Sequence, residues 1–297
     1  MKNSHSFSII GSGFGLYGYL VAISHLGETG KIFILKEYLP LILNLKIDQK
    51  IRKNIVPCKS LDELIANGDV IVIARRPVDQ LEIIQNNIQL LKTKILLLEK
   101  PIAPSPRQAS KLLSLLEKNQ INFSVGFLFR YLHWSELICN RAYQDKEIKI
   151  TWSLTDKGKL GWKKDKFGGG AVDLLGIHIL AMMALHHFSL VDSQIFLNKK
   201  ELEYRWAASF GKKNFIVNVE LNSASDKNFF KIEMGDEIIY EDQTPYGKEF
   251  SPGALDTRLE PLKHHIHNAI TSQNFRKELE LNREIVCLWE QVRSPSS

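Results

Sequence analysis

The stretch FGGGAVDLLGIH, residues 167–178, sets three glycines before an apolar run that holds one acid and one imidazole, Asp173 and His178. A histidine changes charge near neutral pH and can relay a proton for a hydroxyl, which makes this helix a candidate for acid–base chemistry. Asp173 stands five residues before His178. Each residue of a regular helix turns the side chain by about 100°. Asp173 therefore shares the face of His178 only if the backbone there is not yet regular helix. A second stretch, GSGFGLYG at 11–18, carries glycines of the kind that let a backbone approach a phosphate. A third, HHIH at 264–267, puts His264 and His267 on one helical face. No acid or cysteine is spaced to complete a tetrahedral metal set, so a solvated helix face is expected there and no metal.

The elements that must position these residues follow from the apolar pattern. FSIIG (7–11), KIFIL (31–35), DVIVIA (69–74), KILLLEK (94–100) and NFSVGF (122–127) read as strands. Between them, LYGYLVAISHLG (16–27), SLDELIANG (60–68), VDQLEIIQNNIQLL (78–91) and SPRQASKLLSLLEKNQ (105–120) have helical spacing. Ser60 and Glu63 form a capping box. Continuous apolar strands alternating with helices predict a doubly wound parallel sheet, a Rossmann domain over residues 1–122. In that context Gly11 and Gly13 follow the first strand and open the first helix, where a dinucleotide pyrophosphate meets backbone N–H groups. Leu16 stands where a third glycine or alanine is usual. At the end of the second strand, Glu37 suits a free ribose 2′-hydroxyl and Lys36 suits a 2′-phosphate; the cation tilts the expectation slightly from NAD towards NADP.

Beyond residue 122 the pattern changes. A helix at 129–144 and the glycine-led helix at about 170–187 accompany strands EIKITWSL, SQIFL, LEYRWAASF, NFIVNVEL, NFFKIEM and EIIYED, and two helices close the chain. These strands alternate apolar and polar residues, as one-faced antiparallel strands do. Residues 123–297 are thus expected to form an α+β domain with an open, mostly antiparallel sheet. The chain has 297 residues and a net charge of +6, which mildly favours anionic ligands. The charge is diffuse, with no arginine-rich run, so no nucleic-acid partner is expected. No apolar run reaches membrane-spanning length and no leader pattern opens the chain, which predicts no membrane partner. The three cysteines are scattered, as in a reducing cytoplasm.

Four segments in order, IIGSGFG at the start, VIARRPVDQLEII (72–84), LLLEKPIA (96–103) and GWKKDKFGGGAVDLLGIH (161–178), resemble the Gfo/Idh/MocA family, named for glucose-fructose oxidoreductase, inositol dehydrogenase and rhizopine catabolism. The resemblance implies NAD(P)-dependent oxidation or reduction of a carbinol or ketone on a sugar, cyclitol or derivative, and a homodimer or homotetramer formed through the open sheet's exposed face. It makes Lys100 of EKP the leading catalytic residue, with His178 as proton relay. A lysine at a strand's carboxyl end can hydrogen-bond the reacting oxygen and stabilise a developing alkoxide. Many family members carry the helix acid four residues before the histidine, where Leu174 stands here, so the role of Asp173 is open, as is polar substrate contact at Ala181.

The expected cofactor set is Gly11, Gly13, Phe14, Gly15, Lys36, Glu37, Arg75, Arg76, Glu99 and Lys100. Adjacent side chains of an extended segment point opposite ways, so at most one of Arg75 and Arg76 is expected to meet phosphate. Gln80 replaces a histidine common in that turn. Arg130, Tyr131, Trp162 and Lys163 join Lys100 and His178 as substrate candidates. The loop 155–170 has five lysines against two aspartates and could collar a phosphorylated, nucleotide-linked or carboxylated sugar. Two alternatives stay open: a reductase of a tetrapyrrole or imine, and a non-catalytic dinucleotide-binding sensor.

Overall fold

Strands β1 (Phe7–Ile10), β2 (Ile32–Leu35), β3 (Ile55–Cys58), β4 (Val70–Ile73), β5 (Ile95–Leu98) and β6 (Asn122–Val125) form a parallel sheet in the order β3-β2-β1-β4-β5-β6. The computed structural model describes residues 4–27, 29–43, 45, 47, 49–141, 147–155, 170–248, 256–272 and 274–294. Every residue of β1, β4 and β5 is buried. Strands this apolar must be covered on both faces, and helices that run antiparallel to them supply the cover. The order reverses direction between β1 and β4, the switch point at which such sheets open a crevice beyond their carboxyl ends. The sheet is the expected Rossmann arrangement, with one strand the apolar pattern did not reveal. β3 reads IVPC; Pro57 cannot donate to a ladder, and β3 tolerates it because it lies at the sheet edge and pairs only with β2. The capping box holds: Ser60 Oγ accepts from the Glu63 amide at 3.2 Å, and Glu63 Oε2 accepts from the Lys59 amide at 2.7 Å.

The second sheet contains β7 (Ile148–Thr155), β8 (Ser189–Leu197), β9 (Glu203–Lys212), β10 (Phe215–Ser225), β11 (Phe229–Met234) and β12 (Glu237–Asp242), in the order β12-β11-β7-β10-β9-β8. Only β7 and β10 run parallel; the other neighbours are antiparallel. One face carries Trp152, Trp206, Phe210, Val217, Leu221 and Phe230 into the core. The helix Ile177–Leu185, buried along nearly its whole length, belongs to the same unit. Its first turn, Val172–Gly176, is π-helical. Gly176 lies so close to the Trp206 ring that an added Cβ would sit 2.9 Å from it.

The chain divides into two compact units, and the division is not the single cut near residue 122 that the sequence pattern suggests. The first unit takes in Met1–Ala103, Lys111–Gly126 and Pro252–Leu279; the second takes in Pro104–Ser110, Phe127–Ser251 and Glu280–Ser297. The helix Leu259–Ser272 explains the difference. It buries Leu259, Leu262, His265 and Ile266, and the His265 ring meets Tyr19 of the glycine-loop helix edge-on at 6.5 Å. An amphipathic helix goes where its apolar stripe is covered, whatever its place in the chain. Among the described residues no helix is long and apolar enough to cross a membrane.

Inside the second unit the carboxyl-terminal part of the last helix, Phe275–Arg293, is tied in by charge. Arg293 Nη2 lies 2.6 Å from Asp173 Oδ1, and the same guanidinium pairs with Glu203. Trp289 Nε1 donates to Asp173 Oδ1 at 2.7 Å. Both carboxylates are almost wholly buried. Arg293→Met is expected to destabilise the protein by about 3–5 kcal/mol, the cost of stranding buried charge. Urea unfolding followed by tryptophan fluorescence measures it, and a midpoint within error of the parent would show the triad contributes nothing.

Candidate cofactor and catalytic site

At the end of β1 the backbone turns beside the end of β4. Gly11 has φ +137°, and a Cβ there would lie 2.2 Å from the Ala74 carbonyl oxygen. Only glycine fits this close approach. Gly13 is the opposite case: a Cβ there meets nothing within 4 Å. Its freedom serves no internal contact and leaves the space above the loop open. The helix that follows begins as a π turn, Gly15–Leu20, and continues as Val21–Ser24. The wider turn resolves the Leu16 anomaly. Leu16 is buried in the core, while Gly15 approaches Ile9 and Gly18 seats the Phe14 ring, with hypothetical Cβ distances of 3.1 Å and 2.4 Å. π turns of this kind are frequent at functional sites.

Beyond the end of β2 stand the two side chains the sequence pointed to. Lys36 and Glu37 are both exposed on a 3-10 turn, Lys36–Tyr38. The next residue, Tyr38, is buried, and its hydroxyl oxygen accepts from the Gly11 amide and from Arg75. Burial pushes the phenol up, against the pull of the Arg75 charge and the two donors. Arg75 and Arg76 do not diverge as an extended segment would have them. Arg76 Nε lies 2.9 Å and Arg75 Nε 3.8 Å from the same oxygen of Asp79. The chain has left β4 by then, and Asp79 in the first turn of the helix Pro77–Asn86 draws both flexible side chains to one carboxylate.

Lys100 follows β5, in a turn braced by Gln80. The Gln80 amide nitrogen donates to the carbonyls of Glu99 at 2.9 Å and Ile102 at 3.1 Å, and its oxygen accepts from the Glu99 amide at 2.9 Å. Gln80 is fully buried, so these bonds compete with no water. The Lys100–Pro101 peptide bond is cis. Lys100 keeps partial exposure as a residue, yet its ammonium is closely surrounded. Desolvation lowers its pKa to about 8, opposed by the Glu99 charge and reinforced by the Arg258 charge. Because the folded lysine holds its proton less tightly than an unfolded one at about 10.4, it opposes folding below about pH 8, and that penalty fades as pH rises between the two values. Burial pushes the Glu99 carboxyl up, with Lys100, a Tyr19 hydrogen bond and Arg258 acting against it.

The remaining candidates belong to the second unit. His178 is 5% exposed and stacks on Phe129, centroids 4.7 Å apart, with Trp152 tilted at 6.5 Å. The π turn lets Asp173 and His178, five apart, come back towards one face, since a π helix bonds residues five apart. Asp173 is nonetheless engaged by Arg293 and Trp289. Arg130 lies over the ring of its neighbour Tyr131 at 5.0 Å, on the 3-10 turn Leu128–Tyr131. Trp162, Lys163 and the rest of the lysine loop lie outside the described residues. Of the expected HHIH face, His264 and His267 are exposed and His265 is core. Sequence reasoning missed Tyr38, Gln80 as a brace, and Arg258. Only Gln80 had a signal, as a departure from the usual residue of its turn.

A parallel sheet of this order with a glycine turn at its switch point defines a nucleotide-binding Rossmann fold. Residues 6–127 match the family model described as the oxidoreductase family with NAD-binding Rossmann fold, GFO_IDH_MocA. No curated protein matches the chain in sequence. Among solved structures it is similar to the dehydrogenase MviM from Clostridium difficile, with 17% identity, TM-score 0.68 and coverage of 98% of this chain and 99% of that one. It is similar to KijD10, a 3-ketoreductase from Actinomadura kijaniata solved with NADP and TDP-benzene, at 13% identity, TM-score 0.71 and 98% and 97% coverage. GenD2 from gentamicin A biosynthesis, solved with NAD, shares 13% identity at TM-score 0.71, with 98% and 95% coverage. These likenesses establish the fold. The open space at Gly13, above a helix N-terminus, fits a dinucleotide.

Two outcomes follow from this geometry. Gly11→Ala is expected to lower the thermal midpoint sharply, because the clash is with backbone. Gly13→Ala is expected to leave the midpoint within about a degree yet weaken NAD(H) and NADP(H) binding at least about tenfold, since its methyl would occupy the open space. Calorimetry with dinucleotide titration compares them, and equal affinity for Gly13→Ala and parent would place the cofactor elsewhere. Separately, competitive acetylation with peptide mass spectrometry should give Lys100 a labelling midpoint near pH 8. In Gln80→Leu the unbraced turn should admit water and move that midpoint up towards the ordinary lysine value of about 10.4. An unmoved midpoint would show that the turn holds itself.

Proposed function

We propose that the protein is an NAD(P)-dependent oxidoreductase that interconverts a carbinol and a ketone on a sugar or sugar derivative. The observation that carries the reading is Lys100, held at the carboxyl end of β5 on a Gln80-braced turn, with a proton affinity brought down to about pH 8. The backbone at Gly11, Gly13 and Gly15, with Tyr38 beyond β2 and Arg75 beyond β4, would hold the dinucleotide. Its nicotinamide supplies or accepts the hydride. Lys100 handles the proton that must travel separately. As an ammonium it donates to the ketone oxygen, and as an amine it takes the proton of the carbinol O–H. A pKa near 8 keeps both forms populated at physiological pH, which suits either direction.

The sugar class draws support from KijD10, a 3-ketoreductase solved with TDP-benzene, and from GenD2 of gentamicin A biosynthesis. His178, buried against Phe129, is the second residue whose loss this reading expects to matter. A panel of sugars, cyclitols and their phosphorylated and nucleotide-linked forms, assayed for nicotinamide absorbance, tests the reading. Lys100→Met is expected to cut turnover at least about 10²-fold, the usual contribution of a positioned acid–base group, while dinucleotide affinity is kept. The rate of carbinol oxidation by the parent should rise with pH through about 8. Tight dinucleotide binding without turnover of any panel member would favour the sensor instead.

A further inference from the structure

The two sheets end in four edge strands, β3 and β6 in the first and β8 and β12 in the second. An edge offers a row of unpaired N–H and C=O groups to any other strand, and proteins guard such rows with proline, charge, shortness or cover. Three of these edges are guarded. β3 is four residues long and holds Pro57. At β6 the Val125 amide and the Ser124 hydroxyl donate to Glu278 Oε1, at 3.1 Å and 3.2 Å. β12 is six residues long and carries Glu237, Glu241 and Asp242.

β8 is guarded least. It runs for nine residues, Ser189–Leu197, without proline or lysine, and its one charge is Asp192. Val191 and Leu197 are 63% and 56% exposed. Its register against β9 shifts between Leu190 and Asp192 and again between Phe196 and Leu197, which leaves Asp192–Phe196 as a regular run. Side chains alternate along that run. Asp192 and Gln194 line a shallow depression of the outer face together with Arg205, whose guanidinium lies 4.9 Å over the Phe196 ring. Ser193 and Ile195 belong to the inner face, where Ser193 Oγ accepts from Trp206 Nε1 at 3.0 Å.

We propose that β8 pairs antiparallel with β8 of a second copy of this chain, joining the two open sheets edge to edge about a two-fold axis at Gln194. The regular run overlaps fully with its own copy in one antiparallel register. Gln194 then stands opposite Gln194, Ser193 opposite Ile195 and Asp192 opposite Phe196, so outer residues meet outer and inner meet inner. A primary amide both donates and accepts, which lets Gln194 bond its twin. The one charge of the strand does not meet itself; it meets the ring over which Arg205 lies. Arg205 Nη2 bonds Glu220 Oε1 at 2.7 Å, so the incoming carboxylate extends a ladder of alternating charge. A two-fold pairing closes on itself and leaves neither β8 edge free to add further chains.

Light scattering coupled to size-exclusion chromatography of the full-length protein tests this, with circular dichroism as the check on folding. The parent is expected to be a dimer. Gln194→Lys sets two like charges on the axis and should raise the dimer dissociation constant at least about tenfold with the fold unchanged, and Gln194→Glu should do the same. An equal mixture of the two variants should recover the dimer, because each cation then faces an anion. Lys149→Glu, on the outer face of β7 and three strands away from β8, should change nothing. A monomeric parent would overturn the proposal. So would a Gln194→Lys dimer as tight as that of the parent, or a mixture no tighter than either variant alone. Loss of the dimer in Lys149→Glu but not in Gln194→Lys would put the interface on the face of the sheet, and would overturn it too.

Discussion

Strands β1, β4 and β5 are buried on both faces, and that burial governs everything else in the first unit. Strands sealed in this way carry apolar side chains along their length, except Ser8 of β1, whose hydroxyl donates to the Leu64 carbonyl. Chemistry is therefore pushed to the carboxyl edge, where the backbone leaves the sheet. Each strand there ends in a turn with a steric or polar constraint. Gly11 passes the Ala74 carbonyl with no room for a side chain, and the turn after β5 is closed by the Gln80 amide. The same burial supplies the low-polarity surroundings that depress Lys100 and raise Glu99. A lysine on the outer surface of a helix would show neither effect.

Both glycine-led helices begin with a π turn, Gly15–Leu20 in one unit and Val172–Gly176 in the other. In each, one extra residue is accommodated where a side chain would otherwise fall on the wrong face. In the first, Leu16 goes to the core and Gly18 makes room for Phe14. In the second, Asp173 is swung inward to meet Arg293 and Trp289 while His178 packs on Phe129. The aspartate thus serves first as a buried anchor for the last helix. Two carboxylates on one guanidinium are stable only as a complete set, because each would be costly alone in that core.

Aromatic packing plays different parts in the two units. Around Phe14, Tyr17 and Tyr19 the rings make a platform beside the glycine loop, and Arg258 lies on it. In the second unit Phe129 touches Trp134, Trp152, His178, Phe230 and Tyr246, so one ring knits the 3-10 turn, the sheet and the histidine helix together. A histidine in such a setting is held in one orientation by stacking.

The sequence by itself determined the parallel sheet, the strand-and-helix order, the capping box at Ser60 and the position of Lys100 at a strand end. These are local properties, written in apolar periodicity and in residues that terminate elements, and they do not depend on distant partners. The family resemblance was legible for the same reason, since its motifs sit at those terminations. What lay beyond local pattern was decided by tertiary structure alone. β3 was hidden because a proline is allowed only when the strand proves to be an edge. Tyr38 was hidden because its value comes from reaching Gly11 and Arg75 across the sheet end. The π turns carry no composition signal, as they arise from how each helix must seat its side chains. Arg293 reaches Asp173, and Arg258 the Phe14 ring, across more than a hundred residues of chain. Charge pairs and ring contacts at such separation have no sequence spacing to betray them, because the distance that matters is set only once both apolar cores have closed.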